Sequence, residues 1–433
     1  MTSGGLGLAS FKADGSGVVR TSGNTAITAN AYGNATYESV EYYGGGTTDI
    51  IANSNGNASM LVTATGGNRI QSLNTMTIRS NGSGNASFSA PTAGTVKVTG
   101  AAQDLNIITT SSGKASFTAE HATVSVEQGN LNINSSASTT ANGTASLVSD
   151  GLNIAGTTTI IAGVATATAN ITGVQVSTGN LTVTAGANTA SFTANGTDML
   201  NVNVVNVNGA AGTGGDAKII ALNAEINSSG DPVTISTAGT TGGTKGVYAD
   251  RLQTGRNQLI PGNNASVTMT GTGTGASSAQ LVLTDSLQTG VLNLTGVAGN
   301  AAAVNTNINR VDVTYIDTIF NFNNTVASTD SGASGVYFKT IDLGAHADAA
   351  SPLRTLNATN ATLGTYWADT LKVNVTTAAS AGHNWIGDIW LGGSPTVVAT
   401  GTIGQMDFIL PAGSNLTDYL GDGNGATPTT CWP

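Results

Sequence analysis

The chain has 433 residues and a formal net charge of −10, yet only 9% of its residues are charged and 5% are aromatic. This scarcity of charge is unlike a cytosolic enzyme, in which about a quarter of residues are charged, and the abundance of Val, Ile and Thr is unlike a disordered chain. Because no stretch is rich in Lys and Arg, the sequence also excludes nucleic acid as a partner.

Residues 1–23 are expected to form an N-terminal extension that takes part in assembly. Met1–Gly5 lacks the basic and apolar regions of a secretory leader. The segment has no amphipathic helix that could cap the end of a solenoid. The run Gly17-Val18-Val19-Arg20 is instead expected to add a strand to a neighbouring copy, which makes Val18 and Val19 candidate assembly residues.

A five-residue word recurs along residues 24–250. It reads Ala-Ser-Phe-polar-Ala or a close variant, and its copies begin 20–30 residues apart. The clear copies are 86–90, 115–119, 145–149, 165–169 and 190–194, and looser copies begin at Ala35, Ala58 and Ala217. A period of this size indicates a solenoid in which each unit stacks on the next.

Two further words follow the first word within each period. The second word is an apolar-x-apolar pair, found at Val96/Val98, Val124/Val126, Val174/Val176 and Val202/Val204. The third word is found at Leu105–Ile107, Leu131–Ile133, Leu152–Ile154, Leu181–Val183 and Val205–Val207. Every word alternates apolar and polar residues, as a strand with one buried face does. Three short strands per period predict an all-β fold, a right-handed parallel β-helix of about eight coils.

The first word also predicts what fills the interior. Its central residue is expected to point inward, so that one column of side chains runs through the coils. The members of this column are Phe88, Phe117, Leu147, Ala167 and Phe192.

The middle residue of the third word is expected to point outward and form a row. The members of this row are Asn106, Asn132, Asn153, Thr182 and Asn206. We favour a ladder of hydrogen bonds along the axis over a flat binding face, since stacked amides about 4.8 Å apart can bond to one another. Glycines that precede first words, such as Gly84, Gly113 and Gly143, are expected at corners that need positive φ.

The repeat pattern and the aromatic content of the sequence change after residue 250. Residues 251–310 are expected to form further coils or a transition, and residues 311–433 a second, more aromatic β unit, either a sandwich or wider coils. All four tryptophans lie in this last part. Buried rings are the preferred interpretation; the alternative is a subunit contact or a sugar-stacking surface, for which Trp385 and Trp390 are the candidates.

The sequence contains few candidates for catalytic or metal-binding residues. His121, His346 and His383 are far apart, the single cysteine is Cys431, and no nucleophile elbow, P-loop or zinc motif is present, so we expect no enzyme and no catalytic residue. Calcium is the one cofactor considered. Its weak candidate ligands, Asp418, Asp422 and Asn424, occupy a Gly-rich stretch that is also ordinary turn sequence. The sequons at Asn34 and Asn85 mostly follow from the repeat words.

Two coils carry a family resemblance. The stretches 179–185, Gly-Asn-Leu-Thr-Val-Thr-Ala, and 129–134, Gly-Asn-Leu-Asn-Ile-Asn, resemble the coils of filamentous-haemagglutinin-type adhesins. That resemblance covers about residues 24–240 and implies a secreted β-helix with a role in attachment. The chain lacks the secretion-domain motif of those adhesins. Its composition also resembles that of bacterial S-layer proteins.

These observations predict a structural protein outside the cell or at its surface. We expect a subunit that polymerises with copies of itself through the ends of the solenoid and the aromatic C-terminal unit, into a filament or a surface layer. The alternative is an adhesin or phage tail-fibre module that binds cell-surface glycans. No stretch is apolar over 18 residues, so no helix that spans a membrane is expected.

Overall fold

The computed structural model describes residues 1–295, except for 14–16, 64–69, 93, 102, 174, 195–198, 230–231, 256–265 and 290. Beyond residue 295 it describes only the backbone of the strands. The described chain is all-β, without helix, and its strands pair in parallel as the coils of a β-solenoid. It divides into two compact units, Met1–Ala224 and Glu225–Pro433. The predicted fold class is therefore confirmed.

Short strands punctuated by turns make up the first unit. In chain order they are β1 (Thr2–Ser3), β2 (Leu8–Lys12), β3 (Val18–Thr21), β4 (Thr25–Ala29), β5 (Asn34–Ser39), β6 (Glu41–Gly44), β7 (Thr48–Ala52), β8 (Ala58–Val62), β9 (Ile70–Ser72), β10 (Met76–Ser80), β11 (Ala86–Ser89), β12 (Gly94–Val98), β13 (Leu105–Thr109), β14 (Lys114–Val126), β15 (Leu131–Asn134), β16 (Thr144–Ile161), β17 (Thr166–Ile171), β18 (Gln175–Ala185), β19 (Ala190–Ala194), β20 (Met199–Val202) and β21 (Val204–Gly209). The division between the units falls within β22 (Ala217–Ser228).

These strands stack as three parallel faces, one for each word of the repeat. Face 1 contains β2, β5, β8, β11, the first parts of β14 and β16, β17 and β19. Face 2 contains β3, β6, β9, β12, the end of β14, the middle of β16, the start of β18 and β20. Face 3 contains β1, β4, β7, β10, β13, β15, the ends of β16 and β18, and β21. Each coil therefore contributes one strand to every face.

A column of side chains from face 1 fills the interior. Phe88, Phe117 and Phe192 are at most 1% exposed, and Leu147 is fully buried beside them. The rings of Phe88 and Phe117 stack with their centroids 4.5 Å apart. The inward direction predicted for these four residues is confirmed, and alternation along each strand is the cause, since successive side chains point to opposite sides.

The register of β17 differs from the prediction. Ala169, and not Ala167, is the Cα partner of Leu147 and Phe192. The prediction was wrong because Ala-Thr-Ala-Thr-Ala alternates identically after a shift of two residues. The shift that the structure adopts places Ile171 in the interior, in register with Ser149.

The coil that begins at Thr144 also rearranges the outward row. The predicted member Asn153 lies on face 2, where its partners are Ser125 and Ser177. Thr159 takes the place on face 3 between Asn132 and Thr182. The reason is that β16 crosses two corners without a loop, so the word at 152–154 is the second word of its coil. In the last coil of this unit the inward pair of face 2 is Leu200 and Val202, not Val202 and Val204.

The glycines before the first words are required by the close packing of the coils and not by a positive φ. Gly84 and Gly113 are not among the glycines with positive φ, which include Gly100 and Gly212. A Cβ placed on Gly84 would overlap the carbonyl oxygen of Gly56, and one on Gly113 would overlap that of Gly84. Gly143 is likewise blocked by the carbonyl of Ser111. The expectation of positive φ was therefore wrong, because the backbones of successive coils meet at this corner with no room for a side chain.

Asparagines beside these glycines link the coils. We name Asn34, Asn57 and Asn85 the corner ladder. The Oδ1 of Asn34 accepts the backbone N–H of Asn57 at 3.0 Å, and the Oδ1 of Asn57 accepts that of Asn85 at 2.8 Å. The Oδ1 of Asn85 accepts the N–H of Lys114 at 3.0 Å. On face 3, the predicted ladder is present where Asn132 Nδ2 donates to Asn106 Oδ1 at 2.9 Å.

The second unit contains parallel strands as well. They are β23 (Val233–Ser236), β24 (Thr244–Thr254), β25 (Ser266–Thr270), β26 (Ser278–Gln288), β27 (Val291–Thr295), β28 (Val304–Asp312), β29 (Ile319–Asn323), β30 (Val336–Asp342), β31 (Arg354–Thr359), β32 (Thr362–Ala368), β33 (Leu371–Val375), β34 (Trp385–Leu391) and β35 (Gln405–Ile409). One series runs β23–β25–β27–β29–β31–β33, and the other runs β24–β26–β28–β30–β32–β34–β35. Lys245 is fully buried here, and its Nζ donates to the carbonyl of Gly242 at 2.7 Å.

Candidate functional site

The first coil has several large apolar side chains that are exposed. We name β1, β2, β3 and their connecting turns the first-coil edge. These strands pair with β4, β5 and β6 on one side, and the described structure places no strand on their other side. Of the nine large apolar side chains that are exposed among the described residues, five lie in this edge or directly before it, namely Met1, Leu6, Leu8, Phe11 and Val18. A row of unpaired backbone groups beside apolar side chains is a surface on which another strand can pair.

Phe11 is the centre of this edge. Its ring stacks on that of Tyr37, with centroids 5.1 Å apart and planes 15° apart, and 43% of the residue remains exposed. Tyr37 in turn meets Tyr42 edge to face at 5.9 Å. The interior column therefore continues into the first coil, where the ring of Phe11 is partly exposed.

Charged groups hold the flanks of the first coil to the second coil. Lys12 Nζ lies 3.1 Å from Glu38 Oε1, and the guanidinium of Arg20 lies 4.8 Å from the centre of the Tyr43 ring. Both ionic groups in the Lys12–Glu38 pair are largely exposed, so the pair contributes little to stability. Charged side chains therefore lie in the same strands as the apolar side chains of the edge, a combination that is common in protein interfaces.

Tyr37 is the titratable group most altered by its surroundings in this region. Burial raises the pKa of the Tyr37 hydroxyl, an effect that Ser39 opposes and Tyr42 reinforces. Neither the Tyr37 nor the Ser39 hydroxyl makes a hydrogen bond of acceptable geometry within the described residues. An uncharged phenol in an apolar surrounding is consistent with a packing role.

The candidate assembly residues Val18 and Val19 both lie in β3. Val18 is in register with Glu41 and is 40% exposed, while Val19 is in register with Tyr42 and points toward the interior. Sequence reasoning missed Phe11, although the signal was present. Residues 9–13 read Ala-Ser-Phe-Lys-Ala, which is a further copy of the first word and marks residues 1–23 as a coil.

The aromatic candidates of the C-terminal region lie in β34. In the backbone register Trp385 is opposite Thr362 and Gln405, and Trp390 is opposite Trp367 and Ile409. The weak calcium candidates Asp418, Asp422 and Asn424 lie outside the described residues. Among residues that the structure does describe, no group of three His, Cys, Asp or Glu side chains could hold a metal ion.

Comparison with protein-family models, with curated proteins and with solved structures finds no match to this chain. The described part of the chain contains no apolar helix of membrane-spanning length.

Proposed function

We propose that this chain is a structural subunit that assembles with copies of itself into an extracellular filament or a surface layer. The observation that carries the proposal is the first-coil edge, where Phe11, Leu8 and Val18 are exposed beside unpaired strands. Soluble monomers normally protect such an edge with Lys, Pro or bulges, whereas the one lysine of β1, β2 and β3, Lys12, is paired with Glu38. The scarcity of charge, at 9% of residues, also favours a surface that is covered by other copies.

Electron microscopy and sedimentation of the purified full chain test this proposal. Val18→Lys places a charge in the edge, and we expect it to lower the polymerised fraction strongly because an ammonium group loses its water when another copy covers it. Val164→Lys is the matched control, because Val164 is 42% exposed and Val18 is 40% exposed. Val164 lies in a turn far from the first coil, and its substitution should leave assembly unchanged.

Two results count against the proposal. A wild-type chain that stays monomeric at high concentration removes the filament and the layer together. Equal polymerisation by the two variants shows that copies meet elsewhere. The extracellular location has a test of its own, because an antibody against the folded chain should label intact cells of the source organism without permeabilisation.

A further inference from the structure

A groove lies on face 2 of the first unit, well away from the first-coil edge. Its volume is about 670 Å³, and a row of five side chains runs along it, formed by Lys97, Ser125, Asn153, Ser177 and Asn201. Each member is in register with the next across four successive strand pairs. At about 4.8 Å per strand, the row is about 19 Å long.

The groove is hollow because small side chains lie between larger ones. Ser125 and Ser177 lie between the long Lys97 side chain at one end and Met199 at the other. Ser125 is only 7% exposed although it points outward, so it forms part of the floor. Concave surfaces that combine a few polar groups with apolar walls are the usual places for small ligands.

Charge in the groove is balanced. Among the described residues that line the groove, Lys97 is the one cation, and its Nζ lies 3.1 Å from Oε1 of Glu127, the one carboxylate. Hydroxyls and amides supply the other polar groups, and each can donate as well as accept a hydrogen bond. The groove therefore suits an uncharged ligand that is rich in groups able both to donate and to accept hydrogen bonds.

Other classes of ligand fit this surface poorly. A nucleic acid needs several unpaired cations, and the single lysine is already paired. A peptide that adds a strand needs a free sheet edge, whereas every strand of the groove between β12 and β20 already has neighbours. An uncharged carbohydrate chain remains, since its sugar rings carry hydroxyls at intervals similar to the spacing of the coils.

We propose that this groove binds an uncharged oligosaccharide that lies along the solenoid axis. The hydroxyls and amides of the row bond to sugar hydroxyls on successive rings. The described residues of the lining include no aromatic side chain for stacking, so we expect the affinity of one groove to be weak. Binding to an extended glycan gains strength when several copies of the chain act together. The site does not depend on the proposed assembly, because one subunit contains the whole groove.

Saturation-transfer difference NMR on the full chain tests this proposal. The probes are three uncharged hexasaccharides, of β-linked glucose, of β-linked N-acetylglucosamine and of α-linked glucose, with hexagalacturonate as the anionic counterpart. Ser177→Tyr fills the middle of the groove and should lower the affinity by roughly tenfold or more because the ring occupies the space of a sugar. Thr182→Tyr is the matched control, since Thr182 lies in the same coil but points outward on face 3.

The proposal predicts transfer to at least one uncharged probe with the wild type and with Thr182→Tyr, and its loss with Ser177→Tyr. It is overturned if no uncharged probe gives a signal, or if the two variants behave alike. It is also overturned if hexagalacturonate binds as well as the uncharged probes, because recognition then follows charge. Since the readout is binding, failure of this site and failure of polymerisation are seen separately.

Discussion

Phe117 is enclosed along the axis by Phe88 on one side and Leu147 on the other. Phe117→Ala should lower the free energy of unfolding by about 3–5 kcal/mol, since truncation leaves a cavity that rigid neighbouring coils cannot close. Urea unfolding followed by circular dichroism measures the loss. Ser116→Ala, on the outward side of the same strand, is the control and should change stability by less than about 0.5 kcal/mol. Similar small losses for both variants would contradict the interior column.

Tyr37 makes a prediction about alkaline pH. Burial raises the pKa of its hydroxyl above the ordinary value of 10.0, so the folded chain binds that proton more tightly than the unfolded chain. The stability that this provides is complete below the unfolded pKa and is lost as the pH rises through the folded pKa. Tyr37→Phe cannot ionise, so its stability relative to wild type should increase as the pH rises above about 10.

Urea midpoints at several pH values measure this difference. At neutral pH the variant should be as stable as wild type or slightly more stable, because the phenylalanine removes a buried hydroxyl that lacks a hydrogen bond. Tyr32→Phe, at a side chain that is 64% exposed, is the control. A pH-independent difference between Tyr37→Phe and wild type would show that the Tyr37 hydroxyl does not titrate with folding.

At the scale of the strand and its corner, the glycine positions determine how closely coils approach. Gly84→Ala should destabilise the chain by roughly 1–3 kcal/mol or more, because the new methyl group overlaps the carbonyl of Gly56 and the backbones must separate. Gly23→Ala is the control, since a Cβ there meets nothing within 4 Å. Thermal unfolding of both variants measures the effect. A well-tolerated Gly84→Ala would show that the coils are not packed this closely.

Strands could be predicted from the sequence, but their register only in part. Period-2 alternation identifies the buried side of a strand, and the Phe88–Phe117 pair follows from it. A shift of two residues preserves the same alternation, so Ala167 and Ala169 are equivalent until the neighbouring coils are known. The position of Asn153 depends on loop length, because its coil passes from one face to the next without a loop.

The candidate site was predicted less well than the strands. Val18 and Val19 were chosen because the run Gly17–Arg20 can form a strand that pairs with another copy, which stays a prediction. Phe11, whose ring continues the interior column, was missed. The groove on face 2 could not be predicted, since its hollow shape requires the size of side chains from five coils to be compared in the correct register.

For the whole molecule, assembly should bury a large area. We expect each subunit to bury well over the roughly 1,600 Å² of a standard interface, summed over its neighbours, because so little of the surface is charged. A reconstruction of the polymer by electron cryomicroscopy measures this area. Amide hydrogens of β1, β2 and β3 should exchange more slowly in the polymer than in the dispersed chain. Unchanged exchange at these strands would place the contact on another surface.

Deletion of residues 1–23 is a poorer test than a point substitution. These residues form the first coil, and their removal uncovers Tyr37 and Tyr42 of the second coil. The shortened chain therefore has a new apolar edge in place of the old one. Val18→Lys changes the edge without exposing the coil behind it.

The direction of the backbone hydrogen bonds has a mechanical consequence. In the first unit these bonds join one coil to the next, and the corner ladder and the Asn106–Asn132 pair run in the same direction. A pull along the solenoid axis stretches the hydrogen bonds of all three strands of a coil at the same time. A pull on a chain end instead peels a single coil from its neighbour. When a chain end is pulled, the coils therefore detach one after another. The unit should then lengthen in steps of one coil, and each step should release about 20–30 residues.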